Sequence, residues 1–253
     1  MNRILSKNEL IEYFNTIDYK SAKWKKKNRY YYEELEKCVS FLIQSQSRVL
    51  EIGCGTGELL FAVKPSVGVG IDFSHKIIDL AREKYPELEF LVGNIDQLDI
   101  DETFDYVLIN NIIGYAQDLL GAFEQIRKVC QPNTKIILLY HSHLWRPVLK
   151  LAEFLGLRMK WPDQHWLSTK DIENLLKLNS FRVITTHHKI LCPIFIPFIS
   201  GFFNRFLVQL PFFRMLALNH ILVFQPVATR KTEKEVTCSV IIPCRNEKEN
   251  IEQ

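Results

Sequence analysis

The sequence has no CxxC pair. Its six cysteines (Cys38, Cys54, Cys130, Cys192, Cys238 and Cys244) are never fewer than six positions apart. That spacing supplies neither a metal knuckle nor a dithiol redox motif. A chain of 253 residues, 47% of them hydrophobic, buries a core without disulfide staples, so the thiols read as reduced in a cytoplasmic protein. Charge of one sign is also lacking. The 32 basic and 29 acidic residues leave +3, which speaks against a dedicated nucleic-acid partner. The N-terminus MNRILSKNELIEYF has no apolar h-region, so it is no secretory signal. The most apolar stretch, Ile190–Asn204, runs 15 residues without a charge and contains Pro193 and Pro197. It falls short of the roughly 20 residues a membrane-spanning helix needs. There is no solenoid repeat and no low-complexity tract.

What is present is alternation. Leu10, Ile11, Phe14 and Ile17 recur at helical spacing behind a Ser6–Glu9 capping box, and a second helix is expected over about residues 21–45. Strands are expected at 48–52, 67–71, 88–92, 104–109 and 135–140. Helices lie between them: one after the glycine cluster, one capped by Ser74 and stopped by Pro86, and one capped by Asp118 with Cys130 on its apolar face. Pro132-Asn133 reads as the turn into the fifth strand. Two more helices follow, over WRPVLKLAEFLGL and after Ser168–Asp171, and two more strands, 181–186 and 220–225. Buried strands separated by helices predict an α/β, doubly wound, mostly parallel seven-stranded sheet. N-terminal helices precede it, and an apolar insertion separates its last two strands.

The strongest motif is Glu51-Ile52-Gly53-Cys54-Gly55-Thr56-Gly57, at the end of the first strand and the start of a helix. Glycines let the backbone turn and approach a ligand closely, and the helix start offers free N–H groups. A nucleotide-like ligand belongs at this edge of such a sheet. The dinucleotide fingerprint wants a third glycine where Glu58 stands, and Glu58 would repel a pyrophosphate. A ligand with no phosphate and a cationic centre fits better, and a nicotinamide dehydrogenase is disfavoured.

VLEIGCGTGELL resembles motif I of class I S-adenosylmethionine-dependent methyltransferases, and the order of elements over roughly residues 20–226 is similar to that fold. The resemblance implies S-adenosyl-L-methionine as cofactor, with Glu51, Gly53, Cys54, Gly55 and Gly57 around its amino-acid end. Asp72, which ends the second strand 19 residues after Gly53, would accept from the ribose hydroxyls, and Phe73 would pack on adenine. Gly93-Asn94-Ile95 stands where the family usually has Gly-Asp-Ala. Asn94 keeps an acceptor for the adenine amino group but no charge, and Asp96 is a substitute. Asn110 and Asn111, followed by Tyr115, occupy the family's position for contacts to the methionine part and the substrate.

Methyl transfer is an in-line displacement at a sulfonium methyl, and an alcohol acceptor also needs a base. His141 and His143 leave the fifth strand at the ligand edge and are candidates for it. The alternative is two loop histidines bonded to backbone, and a metal site there lacks a third ligand. His165 and Trp166 are candidates for the acceptor pocket. Tyr30, Tyr31 and Tyr32 are candidates for a lid, with at most two facing inward and Tyr31 toward the substrate. The basic run Lys23–Arg29 reads as a solvated face or as an attraction to anionic lipid or phosphate.

Residues 227–235 read as a linker. Within 236–253, Pro243-Cys244-Arg245-Asn246-Glu247 after a short strand resembles the opening of family 2 glycosyltransferases of the polyprenyl-phosphate branch. The resemblance implies a methyltransferase domain over 1–226 covalently fused to a glycosyltransferase domain. It would also give the phenylalanine-rich insertion 190–213 a meaning, as a contact with the inner face of a membrane, with a lipid-linked acceptor or with the second domain. Two functions remain open: transfer of a methyl group to an oxygen or nitrogen of a sugar, lipid-linked or small polar acceptor, or a non-catalytic cofactor-binding module that docks or regulates the glycosyltransferase.

Overall fold

The computed structural model describes residues 5–16 and 24–227. The glycosyltransferase-like segment, nearly all of the linker, Ile17 and Lys23 lie outside the described residues. The chain opens with α1 (Lys7–Asn15), whose start carries the expected Ser6–Glu9 capping box. The long second helix is divided. Residues 24–27 are helical, the backbone leaves helical geometry at Asn28, and α2 (Arg29–Leu42) follows.

The alternating part runs β1 (Arg48–Ile52), α3 (Glu58–Ala62), β2 (Val67–Asp72), α4 (His75–Lys84), β3 (Glu89–Val92) and β4 (Phe104–Asn110), then α5 (Leu119–Lys128), β5 (Cys130–His141), α6 (Arg146–Phe154), α7 (Thr169–Leu178) and β6 (Phe181–Lys189). Two short helices, α8 (Ile199–Arg205) and α9 (Pro211–Met215), fill the insertion before β7 (Asn219–Pro226). The caps are those expected locally. The Ser74 hydroxyl accepts from Ile77 N–H, Asp118 accepts from the N–H groups of Leu120 and Gly121, and Ser168 and Asp171 form a capping box. Each satisfies N–H groups that a helix start leaves unpaired.

One seven-stranded sheet results, in the order β3-β2-β1-β4-β5-β7-β6. All neighbours are parallel except β7, which is antiparallel to both β5 and β6. The strand order reverses between β1 and β4, and ligands of such sheets bind outside the strand ends at that switch. Helices cover both faces. On one face Phe104, Phe123, Ile126, Phe181 and Phe224 pack together, and on the other Val39, Leu60, Ile78, Leu108 and Ile137. With both faces covered, the central strands are mostly apolar rather than alternating, Glu51 being the buried exception in β1.

Two local expectations are corrected. Cys130 is not on the α5 face. It opens β5 opposite Phe104, and its thiol reaches the Ile126 carbonyl. Pro132-Asn133 does not separate α5 from the strand. It sits inside β5, where the register jumps: Phe104 pairs with Cys130 and Tyr106 with Lys135. The Thr134 hydroxyl holds that bulge by accepting from Gln131 N–H at 2.7 Å and donating to the Phe104 carbonyl at 2.5 Å. Proline tolerates such a place because the bulge asks nothing of its missing N–H. Among the described residues no helix is long and apolar enough to cross a membrane, and no group of three ligating side chains could hold a metal.

Candidate active site

The carboxyl ends of β1, β2 and β4 converge on the glycine loop. Gly53 and Gly55 both have left-handed φ, at 79° and 54°. A Cβ on Gly53 would stand 2.3 Å from Ile112 Cγ2, so the loop after β4 can close on it only because glycine is there. A Cβ on Gly55 would meet nothing within 4 Å: the backbone there faces open space. Asp72 holds the loop from below. Its carboxylate accepts from Gly55 N–H and Ser74 N–H, both at 3.1 Å. Burial raises its pKa, against the pull of those two bonds.

A cavity of about 490 Å³ opens above this loop. Gly53, Asp72, Phe73, Gly93, Asn94, Ile95, Asp96, Ile112 and Tyr115 are among its walls, and Leu10 and Ile11 of α1 close it. No Lys or Arg is among the lining residues, whereas two carboxylates are. The lining is thus unfavourable to phosphates and favourable to a cation. Asn94 and Asp96 divide the roles differently from expectation. The Asn94 side-chain oxygen accepts from Asp96 N–H at 3.2 Å, while Asp96 Oδ1 is buried without a partner. The acceptors at this end of the cavity are therefore the second lone pair of the Asn94 oxygen and the unpartnered Asp96 oxygen.

Beneath the loop, Glu51 is fully buried. One oxygen accepts from Asn110 Nδ2 at 3.0 Å, and Oε2 has no partner. Burial pushes its pKa up to about 8, so the free protein holds a protonated Glu51 at neutral pH. Cys54 does not face the cavity. Its thiol is buried behind the loop with Leu59 and Phe90.

A second cavity of about 300 Å³ lies on the far side of the segment after β4. Consecutive residues of that segment divide between the two spaces. Ile112 and Tyr115 line the first cavity, and Asn111, Ile113 and Gly114 line the second. The other walls are Tyr140, His141 and the stretch Gln164–Leu167, which is tied in by His165 N–H donating to the Gly114 carbonyl at 2.8 Å. His165 and Trp166 thus stand at this space together with His141, and Tyr115 does not. Asn111 has left-handed φ (54°), which an asparagine tolerates, and its Oδ1 is buried without a partner, as is Trp166 Nε1. One free acceptor and one free donor therefore belong to residues of this wall.

His141 is backed by a relay. Asn219 Nδ2 donates to the Tyr31 hydroxyl at 3.0 Å, and that hydroxyl lies 3.1 Å from His141 Nε2. Desolvation lowers the pKa of His141 to about 3, so the ring is neutral at physiological pH. Tyr31 stands behind His141 rather than in the cavity wall. His143 is exposed, in a turn that lines neither cavity.

Three contributors escape local reading. First, α1 acts as a lid. Its Phe14 ring meets Phe73 at 4.9 Å, Trp161 at 5.3 Å and Tyr115 at 5.9 Å. The lid's end is pinned by the Ser74 hydroxyl donating to Asn15 Oδ1 at 2.7 Å. Second, Gln164 joins the second cavity from a segment with no motif. Third, Lys25 of the basic run is no solvated charge. Its Nζ lies 2.7 Å from Glu58 and 2.8 Å from Thr56 Oγ1, and Lys84 takes the other Glu58 oxygen at 2.7 Å. Burial alone would raise the Glu58 pKa, but the two lysines bring it down to about 2. Amphipathic periodicity could have suggested the lid helix. Nothing local links Lys25 to a residue 33 positions away.

Comparison with known proteins agrees with this geometry. A protein family described as "Methyltransferase domain" matches residues 43–172. Among curated proteins, the demethylmenaquinone methyltransferase of Lactococcus lactis is 31% identical over 115 residues, 41% of this chain and 46% of the relative. That of Shouchella clausii is 29% identical over 131 residues, 47% and 56% of the two chains. The chain thus spans about half the length of the curated relatives it matches. Among solved structures, a possible histamine N-methyltransferase from Thermotoga maritima aligns with a TM-score of 0.64 at 18% identity, covering 85% of this chain and 99% of the other. Magnesium protoporphyrin IX methyltransferase from Synechocystis, solved with bound SAH, aligns with a TM-score of 0.61 at 16% identity, covering 88% and 100%. These likenesses show the fold of S-adenosylmethionine-dependent methyltransferases.

Proposed function

This chain belongs to the family of methyltransferase domains, and from that premise we propose that it transfers the methyl group of S-adenosylmethionine to a neutral polar acceptor seated in the second cavity. The observation that carries the proposal is the division of residues 111–115 between two adjoining spaces. One backbone segment forms a wall of the cofactor space on one side and of a smaller, polar but uncharged space on the other. Two reactants held in adjoining spaces against one segment are held close and in a fixed orientation, and the displacement takes place where those spaces meet, with the nucleophile in line with the methyl carbon.

The residues present fit the cofactor. Gly55 leaves the backbone open to a close approach. Asp72 has acceptor capacity left for ribose hydroxyls after its two backbone bonds, and Asp96 has a free oxygen for an amino group. Glu51 offers a carboxyl whose ionisation a nearby cation would favour. When bound, the cofactor supplies an electrophilic methyl group on a sulfonium. The chain's own contribution is to cover the site with α1, to exclude water with Phe14, Phe73 and Tyr115, and to receive the acceptor beside His141. An oxygen or nitrogen acceptor gives its proton to a base as the new bond forms, and of the two histidines in that wall His141 is the one held from behind by Tyr31. The names of the curated relatives add a second acceptor class, a demethylated quinone, whose neutral ring suits an uncharged cavity. The reading that a glycosyltransferase domain follows this one rests on the Pro-x-x-Asn-Glu pattern alone.

The test is direct. Calorimetry should show binding of S-adenosylmethionine and of its demethylated product. Incubation with methyl-labelled cofactor and a panel of sugars, lipid-linked sugars and quinols should label one class. Failure to bind either form of the cofactor would overturn the reading.

A pH dependence follows from Glu51. In the free protein its carboxyl is protonated below about pH 8. A cationic ligand favours the carboxylate, so binding expels a proton, and affinity should climb with pH toward 8 and be flat above it. The rise should be smaller for the demethylated product, which lacks the sulfonium charge. Glu51→Gln should bind with no such slope, measured by calorimetry across pH 6–9. The same raised pKa works against the fold. Below the unfolded value both states are protonated and nothing is lost; as pH rises from there through about 8 the unfolded chain ionises and the buried carboxyl does not, so stability falls.

A further inference from the structure

The insertion leaves the sheet at the edge where the cavities open, because β7 begins at Asn219 opposite both His141 and Lys189. Its phenylalanines do not fold inward. Phe198 is 96% exposed, Phe212 is 70% exposed, and Phe195, Phe202 and Phe206 are each more than half exposed. Helix α6 adds to them: Phe154 is 83% exposed, with Leu151 and Leu155 beside it. The two segments are joined where Trp145 Nε1 donates to the Leu216 carbonyl at 2.7 Å. Single exposed apolar residues are ordinary, but a joined set of this kind marks a contact surface.

The backbone is strained to present it. Ile199 N–H bonds to the Pro197 carbonyl at 2.8 Å around Phe198, whose φ is 64° and ψ −39°. This tight γ-turn in the left-handed half of the map is costly for a bulky residue. It has no packing return here, since the Phe198 ring touches solvent on nearly every side. The insertion is nevertheless rigidly seated. Asn204 Nδ2 donates to the Cys192 carbonyl and to the Tyr30 hydroxyl, its Oδ1 accepts from the N–H groups of Leu191 and Cys192, and Phe195 packs on Tyr30 at 5.5 Å.

The charges of the insertion itself have one sign. No Asp or Glu occurs between Glu173 and Glu233. Within that span the exposed cations of the insertion are Arg205 and Arg214, and Arg146 begins α6. Glu153 of α6 is neutralised by Arg158 at 2.7 Å, and Asp163 by Lys150 at 2.9 Å. A rim of unopposed arginines around exposed phenylalanines complements an anionic lipid surface, with the rings among the acyl chains and the guanidinium groups at the phosphates. A protein dock would be expected to bury its apolar centre against a rim of both signs. The described chain also leaves by the other end of the sheet, where Val227 N–H bonds to the Ser180 carbonyl.

We propose that α6 and the 190–216 insertion form one face that lies on an anionic membrane surface, with the second cavity opening at the same edge. A lipid-borne acceptor would then reach His141 without leaving the bilayer; this consequence rests on the methyl-transfer reading, whereas the membrane contact does not. The test is co-sedimentation with vesicles of phosphatidylglycerol and phosphatidylcholine, and with phosphatidylcholine alone. Binding is expected to the mixed vesicles and to fall with salt. Phe198→Ser with Phe212→Ser should lower the partition coefficient about tenfold or more, and Arg205→Gln with Arg214→Gln should remove the salt dependence. Both variants alter exposed side chains only, so circular dichroism and S-adenosylmethionine affinity should not change. Absence of sedimentation at low salt overturns the proposal. So does self-association in the ultracentrifuge that the phenylalanine pair abolishes, because the face would then be a protein interface.

Discussion

Replacing His141 by alanine is expected to lower turnover by about 10²–10⁴-fold while leaving S-adenosylmethionine affinity unchanged. The ring lines the second cavity and is backed by a relay, Tyr31 and then Asn219. Its pKa near 3 fixes the pH behaviour. The ring is already neutral at pH 5, so no acid limb between pH 5 and 7 should come from it. His143→Ala, at an exposed turn, should be silent. Tyr31→Phe should lower turnover less than His141→Ala, because it loosens the ring without removing it. Single-turnover kinetics with a labelled acceptor would read these effects. Equal rates for wild type and His141→Ala would remove the histidine from the chemistry. An acid limb near pH 6.5 that disappears in His141→Ala would show that the ring titrates normally and is not desolvated.

The second large effect is expected at Asp72. Its alanine variant loses an acceptor for the cofactor's two ribose hydroxyls. It also leaves Gly55 N–H and Ser74 N–H without their partner. A hydrogen bond to a charged group contributes about 1.5–3 kcal/mol, so loss of two should weaken cofactor binding by about 10²–10⁴-fold. Asp72→Asn keeps one oxygen and should fall between. Because the carboxylate also holds the glycine loop, the alanine variant should melt at a lower temperature, and S-adenosylmethionine should restore less of that loss than it adds to the wild type. Calorimetry and thermal unfolding together test this. Unchanged affinity in Asp72→Ala would defeat the ribose assignment even if the protein were less stable.

Much of this molecule is legible along the chain because the signals are local. A buried strand, a turn and a capped helix each occupy a few consecutive residues. Ser74, Asp118 and the Ser168–Asp171 box cap the helices they precede. The glycine loop is local too: its three glycines have the positive φ that only such a residue adopts freely. Where the local reading slipped, a non-local partner was responsible. Cys130 continues the apolar stripe of α5, but pairing with Phe104 draws it into β5. Cys54 shares a loop with ligand-facing glycines, but the core behind the loop takes its thiol. The oxygen of Asn94 also accepts from a neighbour two residues on, while Asp96 keeps an unpartnered oxygen beside it.

By itself the sequence determined the alternating elements, the glycine loop at the strand ends and the carboxylate that ends β2, since each depends on residues close together in the chain. It also determined that the segment 190–213 is too apolar and too short to be an ordinary loop or a membrane span. The tertiary structure alone decided the rest. The second cavity is assembled from residues 111–114, 140–141 and 164–167, with a relay from residues 31 and 219 behind it. The lid comes from α1, and the balance of Glu58 comes from Lys25 and Lys84. Contacts of this kind exist only once the sheet has brought distant segments to one edge. Their energies, and the pKa values of Glu51 and His141 with them, are set by the burial that folding imposes rather than by any spacing along the chain.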